Sequence, residues 1–388
     1  MKILKNITVF TMVMLLSVST VLEAREKNIS NFSSSASNLV DSTGTFDGNK
    51  IYADVANNGL FLDYHVSGDS ALEWPKGTGV HSIFQSALWM GATVNGSIRT
   101  IVGDYTQDMG PGPWGGDPLA AVHRIYKVEK SMLASPLDFA DFQEWPVEFG
   151  APWVDVDGDG VYTPLPGGTD HPEFLGDQVL WFVSNDGDPA YKLNFGTSPM
   201  NVEIQTTMFG FDRPDVFGDM VFLKQLVINK GSDDLVDTYM GLWSDPDLGY
   251  AGDDFVGCDV ALGMGYVWND GDDSQYSTLD IGTPAAGYDF FQGPMVPCED
   301  GDSEEVCPTE GAKMFGTRHP GMKNLKMSSF AFYINGDATY TDPSDETEGY
   351  FYLQGLRKDG SAYPVEIAGD LYDQRFCFYG DPNDAAGH

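Results

Sequence analysis

Residues 153–164 read WVDVDGDGVYTP. Asp155, Asp157 and Asp159 take alternate positions, and Gly160 follows the third. Carboxylates at i, i+2 and i+4 on a tight loop converge on one hard cation, which wants about six to eight oxygens. The glycine permits a sharp turn, and the backbone carbonyl of Val161 is placed to add a further ligand. An EF-hand would close this loop with a bidentate Glu. Pro166 stands at that position, and nearby Pro164 disfavours a following helix. The loop is therefore expected to join strands, with a structural calcium closed by a later acid. Asp170, Glu173 and Asp177 are within reach, Asp170 and Asp177 foremost.

A second acidic stretch, WSDPDLGYAGDDFVGCD, carries Asp245, Asp247, Asp253, Asp254 and Asp259. Carboxylates this dense repel one another unless solvated or bridged by a cation. The stretch is read as a solvated loop with the makings of a second cation site.

Other chemistry finds less support. The chain has no Gly-x-Ser-x-Gly, no His-Glu-x-x-His and no P-loop. GPGPWG at 110–115 matches Gly-x-Gly-x-x-Gly in form, but its prolines suit a loop rather than a dinucleotide-binding helix. His65, His81, His123, His171 and His319 are scattered and His388 is terminal, which fits structural roles better than general-base work. With 58 Asp and Glu, an acid pair of glycosidase type carries no information. The balance favours a protein without catalysis. The alternative is a carbohydrate-binding or carbohydrate-cleaving protein. It rests on loop tryptophans beside acids, Trp114 with Asp117 and Trp243 with Asp245, with Trp114 the foremost glycan contact.

Strands must position these groups. Glycine (45) and proline (22) punctuate the whole chain, which favours many short strands over long helices. VNGSI marks a hairpin by its Asn-Gly turn. DQVLWFVSND, MNVEIQTTMFGF, DMVFLKQLVINK, DTYMGLWSD and VALGMGYVWND read as strands. SSFAFYINGDATY reads as another hairpin and GYFYLQGLR as a final strand, while ASPLDFADFQEWP reads as a short helix capped at Ser135. NDGD recurs at 185–188 and 269–272 as two similar turns. The expected fold is all-β, mainly antiparallel and sandwich-like, with long acidic Gly/Pro-rich loops.

Residues 1–24 have lysines ahead of an apolar run and read as a secretory signal peptide. No other stretch competes as a membrane span, so none is expected in the mature chain. A Ser/Asn-rich leader is expected over 25–50, then an N-terminal β region over 51–150 and an acidic-loop β region over 151–388, which together make one continuous domain in an alternative reading. Net charge is −37, so the surface repels nucleic acid. Export permits disulfides. The acidic loop CEDGDSEEVC should bring its ends together, which favours Cys298–Cys307 and leaves Cys258 with Cys377.

Several phrases occur in order: LEWPKGTGVHSIFQSALWMGATVNGSIRT, EWPVEFGAPWVDVDGDGVY, GDQVLWFVSNDGD, YMGLWSDPDLGYAGDDFVGCDVALGMGYVWN, PAAGYDFFQGP and FYGDP. Over about residues 50–382 this set resembles a group of large, exported, mostly uncharacterised surface proteins of Bacteroidetes-like bacteria. Members of that group commonly end in a type IX secretion sorting domain. The resemblance implies a secreted or cell-surface β-rich protein and supplies no catalytic residues. Only NDAAGH follows the last phrase, so a longer parent protein is expected. Polysaccharides or other surface proteins are the expected partners.

Overall fold

The computed structural model describes residues 43–165, 170–367 and 370–379. The signal peptide, the leader up to residue 42, Pro166 and the end of the FYGDP phrase lie outside the described residues. Fifteen strands build the body. They are β1 Thr43–Phe46, β2 Tyr52–Ala56, β3 Leu60–Leu62, β4 Leu72–Glu73, β5 His81–Ile83, β6 Gln85–Val94, β7 Ser97–Ile101, β8 Gly110–Pro111, β9 Tyr126–Glu129, β10 Trp153–Val154, β11 His171–Pro172, β12 Gln178–Asn185, β13 Val202–Gly210, β14 Phe222–Asn229 and β15 Val236–Asp245. Two helices matter below, α1 Ala140–Gln143 and α2 Glu346–Leu353.

The architecture is all-β, antiparallel and sandwich-like. One sheet runs β14-β13-β12, with β8 and β9 each pairing β12. A second runs β15-β6-β3, with β7 on β6. A third runs β1-β2-β4-β5. Residues before and after 150 share the first two sheets, so these regions are woven together. Leu88, Met90, Ala92 and Val94 of β6 meet Val202 and Ile204 of β13 in the core between the first two sheets.

Strand β12 shows why its sequence reads as one apolar run. Leu180 and Phe182 face the core shared with β1–β5. Val179, Trp181 and Val183 face the opposite way, into a cluster with Phe142 and Trp145. Side chains alternate along a strand, so a strand covered on both faces must be apolar throughout.

The Asn-Gly hairpin forms between β6 and β7, with positive φ at Asn95 (52°) and Gly96 (81°) as a tight primed turn requires. Four expectations about the elements fail. The leader does not extend to residue 50, because Thr43–Phe46 pairs with β2 and Phe46 is fully buried. GYFYLQGLR is not a strand: Glu346–Leu353 is helical. Asp345 caps it by accepting the Thr347 and Glu348 amides at 2.9 Å each, and Glu346 and Glu348 favour the first turn. SSFAFYINGDATY forms no hairpin ladder; Phe330 makes an isolated bridge to Phe376 instead. The segment after Ser135 holds a one-turn 3-10 helix and then α1, without a side-chain cap from Ser135.

Candidate metal centre

The loop holding Asp155, Asp157 and Asp159 joins β10 to β11. Trp153 pairs with Pro172 and Val154 with His171, so the two-stranded ladder carries Asp155 to Asp170. Within the hairpin the Trp153 ring meets Tyr162 edge-on at 5.6 Å, and two hydrogen bonds fasten it to the body. The Tyr162 hydroxyl donates to the Phe142 carbonyl at 2.6 Å, and the Trp145 indole N–H to the Pro152 carbonyl at 3.0 Å.

Within the loop the acids turn inward. Asp155 Oδ1 and Oδ2 accept the backbone amides of Gly158 (2.7 Å) and Gly160 (2.9 Å). Both glycines have φ of 76°, a region that costs a side chain roughly 1–2 kcal/mol. Asp157 accepts from the Asp159 amide, and Asp159 from the Val161 amide. Asp170 is buried at the base of the loop and ties its two limbs together. Its Oδ1 accepts from the Val156 amide at 2.9 Å and its Oδ2 from the Thr163 amide at 2.7 Å.

One carboxylate oxygen from each of Asp155, Asp157, Asp159 and Asp170 lies within 4.8 Å of the others. Among the described residues no other group of three or more His, Cys, Asp or Glu draws as close. An ionised carboxylate offers about four lone-pair sites, so the amide bonds leave acceptor capacity facing the cluster. The donors are all hard oxygens, with no nitrogen or sulfur, which suits calcium or magnesium over zinc or copper.

Two acids named from the sequence lie apart from this group. Asp177 accepts the Asp212 amide at 3.0 Å beside the start of β12. Glu173 pairs with Lys224 at 3.7 Å. The Val161 carbonyl accepts from the Thr163 hydroxyl at 3.4 Å.

The second acidic stretch does not converge in the same way. Asp245 ends β15 and accepts the Tyr105 hydroxyl at 3.0 Å. Asp254 accepts the Leu248 amide at 2.9 Å, and Asp259 accepts the Leu262 amide at 2.9 Å. Asp247 is buried, and one oxygen of Asp253 has no hydrogen-bond partner. Burial, and then the charges of Asp247, Asp253 and Asp273, push the Asp254 carboxyl up to about 7.

A cavity of about 1690 Å³ opens beside this stretch, with Trp89, Tyr105, Trp243, Asp245, Tyr288 and Tyr333 among its walls. Trp243 is not a loop tryptophan. It sits on β15, buried, stacked 5.7 Å from Trp89, with its N–H donated to the Tyr333 hydroxyl at 2.6 Å. Trp114 is on a loop and 42% exposed. It lines a smaller cleft of about 290 Å³ with Tyr191, Asn185 and Asp188. Asp117 spends its carboxylate on the Leu119 amide.

Three histidines make local contacts. His65 contacts Asp63 at 2.7 Å, His123 the Asp117 carbonyl at 2.6 Å and His171 the Pro172 carbonyl at 2.8 Å. The NDGD turns repeat at atomic level, since Asn185 and Asn269 each accept the amide two residues on at 3.0 Å. Cys298 and Cys307 form a disulfide with Cα atoms 5.9 Å apart. The expected second pairing is not made: Cys258 and Cys377 are buried free thiols. Each thiol is turned to a carbonyl, Cys258 to that of Cys377 at 3.4 Å and Cys377 to that of Phe330 at 3.2 Å. Burial pushes the Cys258 thiol up to about 12, which leaves it inert.

No protein-family model matches this chain, and no curated protein or solved structure does either. No helix among the described residues is long and apolar enough to cross a membrane.

Proposed function

We propose that this chain is a non-catalytic, calcium-stabilised β-sandwich module of an exported protein, with a structural, adhesive or binding role at a cell surface or in secretion. The observation that carries the calcium reading is the convergence of Asp155, Asp157, Asp159 and Asp170 on one point within 4.8 Å. Carboxylates so placed repel, by about 1 kcal/mol per pair at 4 Å even in water. A divalent cation turns that repulsion into attraction. The ion would fix β10 against β11 and hold the long acidic loop on the sandwich. The apolar run at the N-terminus and the resemblance to exported surface proteins support the location. Titration calorimetry with calcium tests the site, alongside melting with and without chelator. Calcium should raise stability by mass action, about 2.7 kcal/mol at a hundredfold excess over its dissociation constant. A melting temperature unmoved by excess chelator would sink the reading.

A second reading, polysaccharide binding, is favoured by one observation. Trp114 is exposed at the rim of a cleft that it shares with Tyr191, and aromatic faces suit sugar rings. A glycan array probed with the protein and with Trp114→Ala separates the readings. Binding that the substitution abolishes would support this one, and silence across the array would end it.

A further inference from the structure

A lysine and two aspartates are sealed inside the sandwich, away from the acidic loop. The side chains of Lys192, Asp108 and Asp186 are 1%, 2% and 0% exposed. Asp108 precedes β8, Asp186 follows β12, and Lys192 follows a 3-10 turn at Pro189–Tyr191. Lys192 Nζ lies 2.9 Å from Asp108 Oδ2 and 3.9 Å from Asp186 Oδ2, and it also donates to the Thr100 carbonyl.

The two carboxylates are held differently. Asp186 is anchored by both oxygens, which accept the Met200 and Val202 amides at 2.7 Å each. Asp108 Oδ2 accepts the Val102 amide at 2.9 Å as well as the lysine. Its other oxygen is buried with no hydrogen-bond partner. The Asn194 amide faces this carboxyl without closing a hydrogen bond to Oδ1. An ordinary buried ion pair is expected to satisfy its remaining lone pairs and to balance its charge. This one does neither: an oxygen is orphaned, and two acids face one amine. Amine and carboxyl are instead placed like reactants, close together and shut away from bulk solvent.

We propose that Lys192 and Asp108 condense into an intramolecular isopeptide bond, with Asp186 relaying the proton. The ammonium first yields a proton to the Asp108 carboxylate, which gives a neutral amine and a carboxylic acid. The Nζ lone pair then attacks Cγ of Asp108. The Asp186 carboxylate takes the proton released from nitrogen and returns it to the departing hydroxyl. One C–N bond forms, one C–O bond breaks, and one water leaves. Asp186 ends as it began, and no oxidant or other co-reactant is consumed. Burial holds the Asp108 carboxyl above the usual carboxylate range, which favours the acid form that the attack requires. The product removes an orphaned oxygen and a buried pair of charges together. It would tie the strand after Asp108 to the segment after β12 through a link that reductants leave intact.

Mass spectrometry of the purified, denatured and reduced full chain tests this. The expected protein is lighter than its sequence by one water. Trypsin should fail to cut after Lys192, and a branched peptide should link Lys192 to Asp108. Asp186→Asn, checked for folding by circular dichroism, should carry the full mass and be cut at Lys192. Asp108→Asn provides an independent arm, because the same attack on an amide releases ammonia and lightens that chain by one ammonia. Wild-type protein at full sequence mass, with Lys192 cleaved and no branched peptide, overturns the proposal. A linked Asp186→Asn protein as abundant as wild type overturns the relay role.

Discussion

Two acidic regions of this chain look alike as sequence and differ as structure. Residues 155–170 and 245–259 are both dense in Asp and Gly. In the first, a ladder closes the loop at its base, and Asp170 arrives from the far strand to complete a four-carboxylate cluster. In the second, Asp245 and Asp259 end strands, and Asp254 and Asp259 accept separate amides, those of Leu248 and Leu262. The density of acids is thus a poor guide to which carboxylates converge. What matters is whether the backbone returns a second, buried carboxylate to the same point.

The largest effect should come from Asp170→Ala. It leaves the Val156 and Thr163 amides without their shared acceptor, and bonds to a charged acceptor are worth roughly 1.5–3 kcal/mol each. A destabilisation of about 3 kcal/mol is expected, together with loss of the calcium-dependent shift in melting temperature. A variant that still melts higher with calcium would break the comparison.

A smaller effect concerns the second region and pH. The folded Asp254 carboxyl titrates at about 7, above the unfolded value of about 3.9. Its contribution to stability is therefore fully present below about pH 4 and is lost as pH rises through about 7. Asp254→Asn cannot titrate. It should shrink the fall in melting temperature between pH 5 and pH 8 by about 1–3 °C. Calcium that abolished this difference in the parent protein would mean that the second region also binds the ion.

The smallest effect is expected for Asp177→Ala. One partly exposed bond to the Asp212 amide is lost, about 0.5–1 kcal/mol, and calcium affinity measured by calorimetry should be unchanged. A large loss of affinity would move the closing ligand from Asp170 to Asp177.

Much of the fold was legible because the relevant signals are local. The β-branched and aromatic runs of β12–β14, the Asn-Gly turn and the Asp/Gly loop depend on neighbouring residues only. GYFYLQGLR is helical for an equally local reason that its aromatic residues mask: Asp345 precedes two glutamates in the first turn of a helix. SSFAFYINGDATY has a turn signal, but its aromatic residues pack into a cluster with Tyr352 and Tyr363, and no strand ladder forms across the turn. The candidate site was half legible. Asp155, Asp157 and Asp159 announce themselves by spacing, whereas the choice of Asp170 over Asp177 does not.

The sequence by itself determined the β-rich class, the acidic charge, the first three carboxylates of the cluster and the Cys298–Cys307 bridge, since each follows from composition or short spacing. Only the tertiary structure decided which distant acid closes the loop, that Trp243 is core, that Cys258 and Cys377 stay free, and that Lys192 meets Asp108 and Asp186. Those outcomes depend on strand register and burial. Both are set by contacts between residues far apart in the chain, and spacing along the chain carries no record of them.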